Sequence, residues 1–376
     1  MMSENTPVNL YDFEAAALAR LPRPTRDYFC GGANDEITLE RNRAAYEAIP
    51  LHYRVLRDVS QRDLGTTLLG IPLSMPIVVA PMACHQLAHP DGELATARAA
   101  GSAGTLMIIS TLANCALEDI CGAATGPLWF QLYVYRDRGV TGELVRRAEA
   151  AGCRAIVLTV DAPVGGQRER DVRNAFCLPE GIVMRNLLPA GRSYAGLEDG
   201  KGSAASYINS MFDPSISWRD LDWLAAQTQL PVLVKGLVRA DDAVRAREHG
   251  AQGVIVSNHG GRQLDTSPAT IDVLESITTA IDGRIEVLID GGIRRGTDVL
   301  KALALGARAV LVGRPILWGL AVDGERGVRR VLDILREELD VAMALAGCCS
   351  VAEVDTDLIR PPTPVVGRPG SRWQPT

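Results

Sequence analysis

Eight short apolar runs, each closing on polar or glycine-rich residues, constrain this chain more than any other feature. They fall at 76–82 (PIVVAPM), 105–111 (TLMIIST), 128–134 (LWFQLYV), 155–160 (AIVLTV), 231–235 (PVLVK), 253–257 (GVIVS), 287–290 (VLID) and 309–313 (AVLVG). Unbroken apolar runs are the pattern of strands buried on both faces. Alanine-rich amphipathic segments lie between them, at 92–103, 141–151, 240–249 and 297–305. Each strand–helix repeat feeds a parallel strand, and eight of them close a (β/α)8 TIM barrel. A doubly wound open sheet is the competing α/β architecture. The count of eight and the polar residue at every strand end favour the barrel.

A barrel of this kind routinely occupies a whole chain of such length. The 376 residues therefore read as one domain, with the barrel at about 76–347. A helix is expected at 10–21, ended by Pro22 and Pro24, as an N-terminal extension. A long excursion after the fourth strand, about 165–217, reads as a lid, and its run 196–203 (GLEDGKGS) has the composition of a mobile loop. The tail at 360–376, rich in Pro, Gly and Arg, is expected to be poorly ordered.

The formal net charge is −6 and the pI about 5.5, which argues against a nucleic-acid footprint. No stretch approaches the roughly 18 apolar residues of a membrane span. The first residues, MMSENTP, show neither a basic nor an apolar signal region. The eight cysteines form no Cys-x-x-Cys pair, and reduced thiols in a cytoplasmic protein are expected. Five histidines without ligand spacing argue against a metal site.

Barrel enzymes work at the C-terminal ends of their strands. The sixth run ends in Ser257, Asn258, His259, Gly260, Gly261 and Arg262. Histidine accepts a proton near neutral pH, and arginine offers a planar fork to a carboxylate or phosphate. A lone histidine is more often a satisfied core residue, but these neighbours are not apolar, so His259 reads as a base. Asp161, after the fourth run, either caps a helix or orients His259. Lys235 ends the fifth run, where a buried ammonium demands a partner. A structural ion pair and a fixed charge beside an anionic cofactor both satisfy that demand. Asp290, Gly291, Gly292, Arg294, Gly313 and Arg314 form an anion cradle after runs seven and eight, where barrels commonly bind phosphate. His85 and His89 read as loop histidines without proton chemistry.

The segment SNHGGRQLD at 257–265 resembles the signature of the FMN-dependent (S)-2-hydroxy acid oxidases and dehydrogenases, which include glycolate and lactate oxidases. The resemblance extends through GANDEITLERN (32–42), DVSQRDLGTTLLG (58–70), AHPDGELATARAA (88–100), WFQLYVYRDR (129–138), LTVDAPVGGQRERDVRN (158–174), LVKG (233–236) and DGGIRRGTDVLKALALGA (290–307). Within the family, the pattern is most similar to cyanobacterial-type L-lactate oxidases. The resemblance implies FMN as cofactor, O2 as electron acceptor and a homotetramer. It implies that His259 is the base and Asp161 its support, that Tyr28, Arg168 and Arg262 hold the substrate carboxylate, and that Tyr133 bonds the hydroxyl. It implies that Lys235 stabilises the reduced flavin. Ala83, Ser110, Gln131 and Thr159 would line its ring system, with Ser257 also in the cofactor shell. Asp290, Gly292, Arg294, Gly313 and Arg314 would hold the ribityl phosphate.

Plant-type glycolate oxidases carry threonine at Met82 and tryptophan at Leu112. These changes, with Phe212 on the lid, make a more apolar and roomier pocket, or else only repack the barrel mouth. Cys84, where relatives have an aromatic residue, is expected to open space near the substrate. A small 2-hydroxy acid, L-lactate above others, is the expected substrate, with H2O2 as product. The alternatives are a dehydrogenase of a larger or aromatic acid using a quinone or protein acceptor, and a non-redox isomerase barrel.

Overall fold

All eight apolar runs are strands, and those strands close on themselves. The computed structural model describes residues 7–187 and 212–360. The barrel strands are β3 (Ile77–Val79), β4 (Met107–Ser110), β5 (Leu128–Leu132), β6 (Ile156–Thr159), β7 (Val232–Leu237), β8 (Gly253–Val256), β9 (Glu286–Ile289) and β10 (Ala309–Val312). They pair in parallel in sequence order, and β10 returns to β3.

Side chains alternate between two packing regions, as the two-residue period of a strand requires. Val78, Ile108, Val157, Leu233, Ile255, Leu288 and Leu311 fill the interior, together with the fully buried Trp129. Ile77, Val79, Met107 and Ile109 point outward into the larger core beneath the helices. That double burial is why the strands read as unbroken apolar runs.

A hairpin absent from the sequence reading plugs one end of the barrel. Its strands, β1 (Thr66–Leu68) and β2 (Ile71–Leu73), place Leu68 and Leu73 in the interior cluster. The Leu69 N–H donates to Glu286 at the start of β9, and Arg308, just before β10, donates to the Thr67 carbonyl. The plug therefore sits at the N-terminal end, and the C-terminal end stays open.

The prolines divide two helices rather than simply ending one. Helix α1 (Leu10–Arg20) is capped by the Asn9 side chain, and α2 (Arg23–Cys30) begins with Pro24 in its first turn, where a missing N–H costs nothing. Helix α3 (Ile37–Glu47) follows. Around the barrel come α4 (Gly92–Ser102), α5 (Leu117–Ala123), α6 (Arg138–Ala150), α7 (Glu169–Arg173), α8 (Trp218–Gln227), α9 (Ala240–Glu248), α10 (Thr270–Ile281), α11 (Gly296–Ala304) and α12 (Arg314–Ala346). Helix α12 breaks at Asp323 and Gly324, where φ reaches +54°. The expected mobile run at 196–203 and the tail from 361 onward lie outside the described residues. No helix among the described residues is long and apolar enough to cross a membrane.

Candidate active site

The open end of the barrel holds a cavity of about 920 Å³. Apart from Cys84, every residue singled out from the sequence as a site residue lines it, except Asp161 and Ser257. Those two stand directly behind His259 and Lys235.

His259 sits in a left-handed conformation, φ 58°, which turns its side chain off the end of β8. Its Nδ1 lies 2.8 Å from Asp161 Oδ1. The Asp161 carboxyl is held below its ordinary range: burial pushes it up, but the charge and hydrogen bond of His259, with Lys235 nearby, more than offset this. Gly236, at φ 109°, makes the approach possible, since a Cβ there would stand 2.6 Å from the Asp161 side chain. With Nδ1 committed to Asp161, Nε2 is the nitrogen left for chemistry.

Lys235 is 4% exposed, and its expected partner is Asp290, 2.9 Å from Nζ. Nζ also donates to Ser257 Oγ at 2.8 Å, and that oxygen accepts the His259 N–H at 3.1 Å. Burial pulls the ammonium down, but Asp290 and Asp161 outweigh it, so its pKa is raised and the charge persists.

Arg262, Arg294 and Arg314 form a cluster with no carboxylate within ion-pair distance among the described residues. Arg314 instead donates to the carbonyls of Phe29, Gly31 and Gly260, and Arg262 to those of Tyr28 and Gly31. The C-terminal end of α2 with Gly31, and Gly260 after β8, thus supply the acceptors that aim both guanidiniums. Burial, then the charges of Arg262 and Arg294, pulls Arg314 down to about 9. Burial, then Arg168, pulls Arg262 down to about 10. Crowded, desolvated cations of this kind call for an anion.

Residues 17–361 match the model of the FMN-dependent dehydrogenase family. The chain belongs to that family. It is 50% identical to an L-lactate oxidase of Nostoc sp. over 96% of this chain and 100% of the relative. It is also 50% identical to glycolate oxidase 3 of Arabidopsis thaliana, over 94% and 95% of the two chains. A solved structure of mandelate oxidase with (S)-4-hydroxymandelic acid superposes with a TM-score of 0.87 at 46% identity, covering 93% of this chain and 97% of that one.

This FMN-dependent enzyme has residues that fit its cofactor. Arg294 and Arg314 offer unmatched charge to a phosphate. Asp290 leaves Oδ1 buried without a partner at the cavity wall, an acceptor suited to a ribityl hydroxyl. A polar row runs across three adjacent strands: Ser110 Oγ lies 3.3 Å from Gln131 Oε1, and Gln131 Nε2 donates to Thr159 Oγ1 at 3.0 Å. A ring system with hydrogen-bonding edges suits that row.

Aromatic rings line the rest of the cavity. Tyr28 stacks on Phe176 at 4.4 Å and lies between Arg168 and Arg262, whose guanidinium carbons are 5.6 and 5.1 Å from its ring centre. Tyr133 stacks on Phe212 at 4.5 Å. Phe176, Leu178 and Met184 also line the wall. The sequence reading missed all three, because a side chain in an excursion has no period that says where it points.

Cys84 does not line the cavity and is fully buried. Burial pushes its thiol up to about 12, and its Sγ lies 3.9 Å from the Leu112 carbonyl, to which it donates. The expected extra space beside the substrate is therefore absent at this residue. His85 is buried as well, bonded through Nδ1 to Thr96.

Helix α3 contributes residues that sequence reasoning passed over. Asp265 accepts the N–H groups of Asp35 and Thr38 at the helix start. Asn42 and Asn258 exchange amide hydrogen bonds. Arg43 donates to the Gly292 carbonyl and pairs with the buried Asp298, which in turn accepts the N–H groups of Arg294 and Arg295. Adjacent residues of one helix thus hold the His259 loop and the Arg294 loop. The signal was present in Asn42, a polar residue in a matched motif, but its partner lies 216 residues away.

Proposed function

We propose that this enzyme oxidises L-lactate to its 2-oxo acid, with O2 reduced to H2O2. Arg168, Arg262 and Tyr28 bind the substrate carboxylate, and Tyr133 hydrogen-bonds the 2-hydroxyl oxygen. His259 Nε2 takes a proton from the hydroxy acid, and Asp161 stabilises the imidazolium that results. Arg294, Arg314 and Asp290, with the backbone of Gly292 and Gly313, hold the ribityl phosphate. Ala83, Ser110, Gln131, Thr159 and Ser257 position the flavin ring. Bound FMN would supply the two-electron redox chemistry, with O2 as the final acceptor. Lys235 provides the fixed positive charge that an electron-rich flavin requires.

The observation that carries the substrate assignment is the apolar wall of Met82, Leu112 and Phe212 in the same cavity as His259 and the arginines. A methyl substituent gains from burial there, whereas glycolate has only a hydrogen to offer. The 50% identity to an L-lactate oxidase over nearly the whole chain supports the same choice. Aromatic 2-hydroxy acids are the second reading, favoured by the additional wall of Phe176, Leu178 and Met184 and by the similarity to mandelate oxidase.

The test is a panel of glycolate, L-lactate, longer aliphatic acids and L-mandelate, with H2O2 as readout. The highest kcat/KM on L-lactate is expected, and a higher value on L-mandelate transfers the assignment to aromatic acids. Stopped-flow reoxidation of the reduced flavin tests O2 as acceptor, and a very slow reaction sinks the oxidase reading in favour of a quinone or protein acceptor. A homotetramer in the cytoplasm completes the proposal, and sedimentation equilibrium of the holoenzyme checks the oligomer.

A further inference from the structure

Two cysteines lie far from the chemistry and close to each other. Cys121 is in the second half of α5, and Cys153 is in the turn between α6 and β6. Their sulfurs are 3.9 Å apart in a thiol–thiol hydrogen bond. All eight cysteines are described and free, and no other pair of them shares such a contact among the described residues. The two segments are held in register independently of the sulfurs. Glu118, one turn before Cys121, receives a two-pronged pair of hydrogen bonds from Arg147 of α6, at 2.7 and 2.9 Å. The Cys153 N–H is tied to the Ala148 carbonyl at 2.9 Å.

We propose that Cys121 and Cys153 are a peroxide-oxidisable dithiol, which closes to an intramolecular disulfide under the H2O2 that the enzyme releases. The source of the peroxide rests on the oxidase reading above; the dithiol itself does not. The pair is asymmetric in the way the chemistry requires. Cys121 is half-buried, so peroxide reaches it, whereas Cys153 is 2% exposed. The hydrogen bond from Cys153 lowers the Cys121 thiol below its ordinary 9.0, while the same bond and burial push Cys153 up. Cys121 is therefore the attacking thiolate and Cys153 the resolving thiol.

In the first step the Cys121 sulfur attacks one peroxide oxygen. An S–O bond forms, the O–O bond breaks, and the departing hydroxide takes up a proton as water. In the second step the Cys153 sulfur attacks the Cys121 sulfenic acid. The S–S bond forms, the S–O bond breaks, and the leaving hydroxide collects the Cys153 proton as a second water. Two thiols are oxidised and one peroxide is reduced. A disulfide needs the sulfurs at about 2.05 Å, which asks each to move by roughly 1 Å. A resolving thiol at this distance also intercepts the sulfenic acid before irreversible oxidation.

The bridge would close a loop spanning 32 positions that contains all of β5 and α6. Cys153 precedes β6, and Arg154 beside it donates to Leu128 at the start of β5. The link thus lies at the N-terminal end of the barrel, the end that governs stability rather than catalysis. Oxidation should leave kcat and KM unchanged and raise the Tm by about 5 °C.

The experiment treats reduced holoenzyme with stoichiometric H2O2, alkylates the remaining thiols and maps peptides by mass spectrometry. The expected product lacks two hydrogens, links the peptides of Cys121 and Cys153, and reverts with dithiothreitol. In Cys153→Ser, Cys121 should instead proceed to sulfinic acid. The proposal is overturned if both thiols remain alkylatable while the exposed Cys177 oxidises, or if Cys153 in Cys121→Ser is oxidised by peroxide as readily as in the parent enzyme. A parallel sample turning over substrate without catalase separates the two readings. A bridge that forms with added peroxide but not during turnover counts against the oxidase assignment and leaves the dithiol standing.

Discussion

Asn42 and Asn258 face each other across two amide hydrogen bonds, 2.9 and 2.8 Å long, each side chain donating one and accepting one. Asn258 also accepts the Gly261 N–H, so the pair anchors the turn that holds His259 in its left-handed conformation. Asn42→Ala removes the partner of one buried Asn258 N–H, since Oδ1 keeps Gly261 and Nδ2 keeps the Pro268 carbonyl, at a cost of about 1–3 kcal/mol. We expect a lower Tm and, per bound FMN, a roughly tenfold lower kcat. A larger isotope effect with 2-deuterated substrate would show that the loss lies in the chemical step. An unchanged isotope effect and unchanged kcat per flavin would reduce Asn42 to a stability role.

His259→Ala should retain FMN, visible in the flavin absorbance, while kcat falls by about a thousandfold. Turnover within tenfold of the parent enzyme would remove His259 from the role of base.

Asp161 and Lys235 give opposite pH signatures. The Asp161 carboxyl is lowered from 3.8, so its contribution to stability is complete above 3.8 and is lost as pH falls through its lower folded value. Lys235 is raised from 10.5, so its contribution is complete below 10.5 and is lost as pH rises through its higher folded value. Calorimetry of Asp161→Asn against pH should show a destabilised variant at neutral pH that converges on the parent as pH drops below 3.8. A constant offset down to the acid limit would refute the assignment.

Arg314 has three backbone acceptors and no carboxylate within ion-pair distance among the described residues, which leaves its charge for a phosphate. Arg314→Met should weaken FMN binding by about 10–100-fold, as expected for loss of charged hydrogen bonds, and leave riboflavin binding nearly unchanged. Flavin fluorescence quenching measures both. Equal losses for FMN and riboflavin would place Arg314 away from the phosphate.

Leu112→Trp reduces the space beside Tyr133 and Met82. The ratio of kcat/KM for L-lactate over glycolate should fall by about tenfold or more. Steady-state assays on both acids decide this, and an unchanged ratio would mean that Leu112 only packs the barrel mouth.

Much of this site was legible from local pattern. Each strand is apolar on both faces and ends at one rim, so the residue after each apolar run had to lie near the others. That geometry gathers Gln131, Lys235, His259 and Arg314, drawn from four strands, without any knowledge of packing. Asp161 was open to two readings, and only the 2.8 Å contact to His259 selects one.

The sequence by itself determined the barrel, the face that carries the chemistry and the residues offered there, because strand burial and strand-end polarity are both local. Tertiary structure alone decided the partners. It paired Lys235 of β7 with Asp290 at the end of β9, seated the β1–β2 hairpin in the barrel floor, and buried Cys84 against the Leu112 carbonyl rather than in the cavity. It also pressed α3 onto the base loop and brought Cys121 against Cys153. These contacts join positions far apart in the chain, and no hydrophobic period or turn signal records which distant side chain will be met.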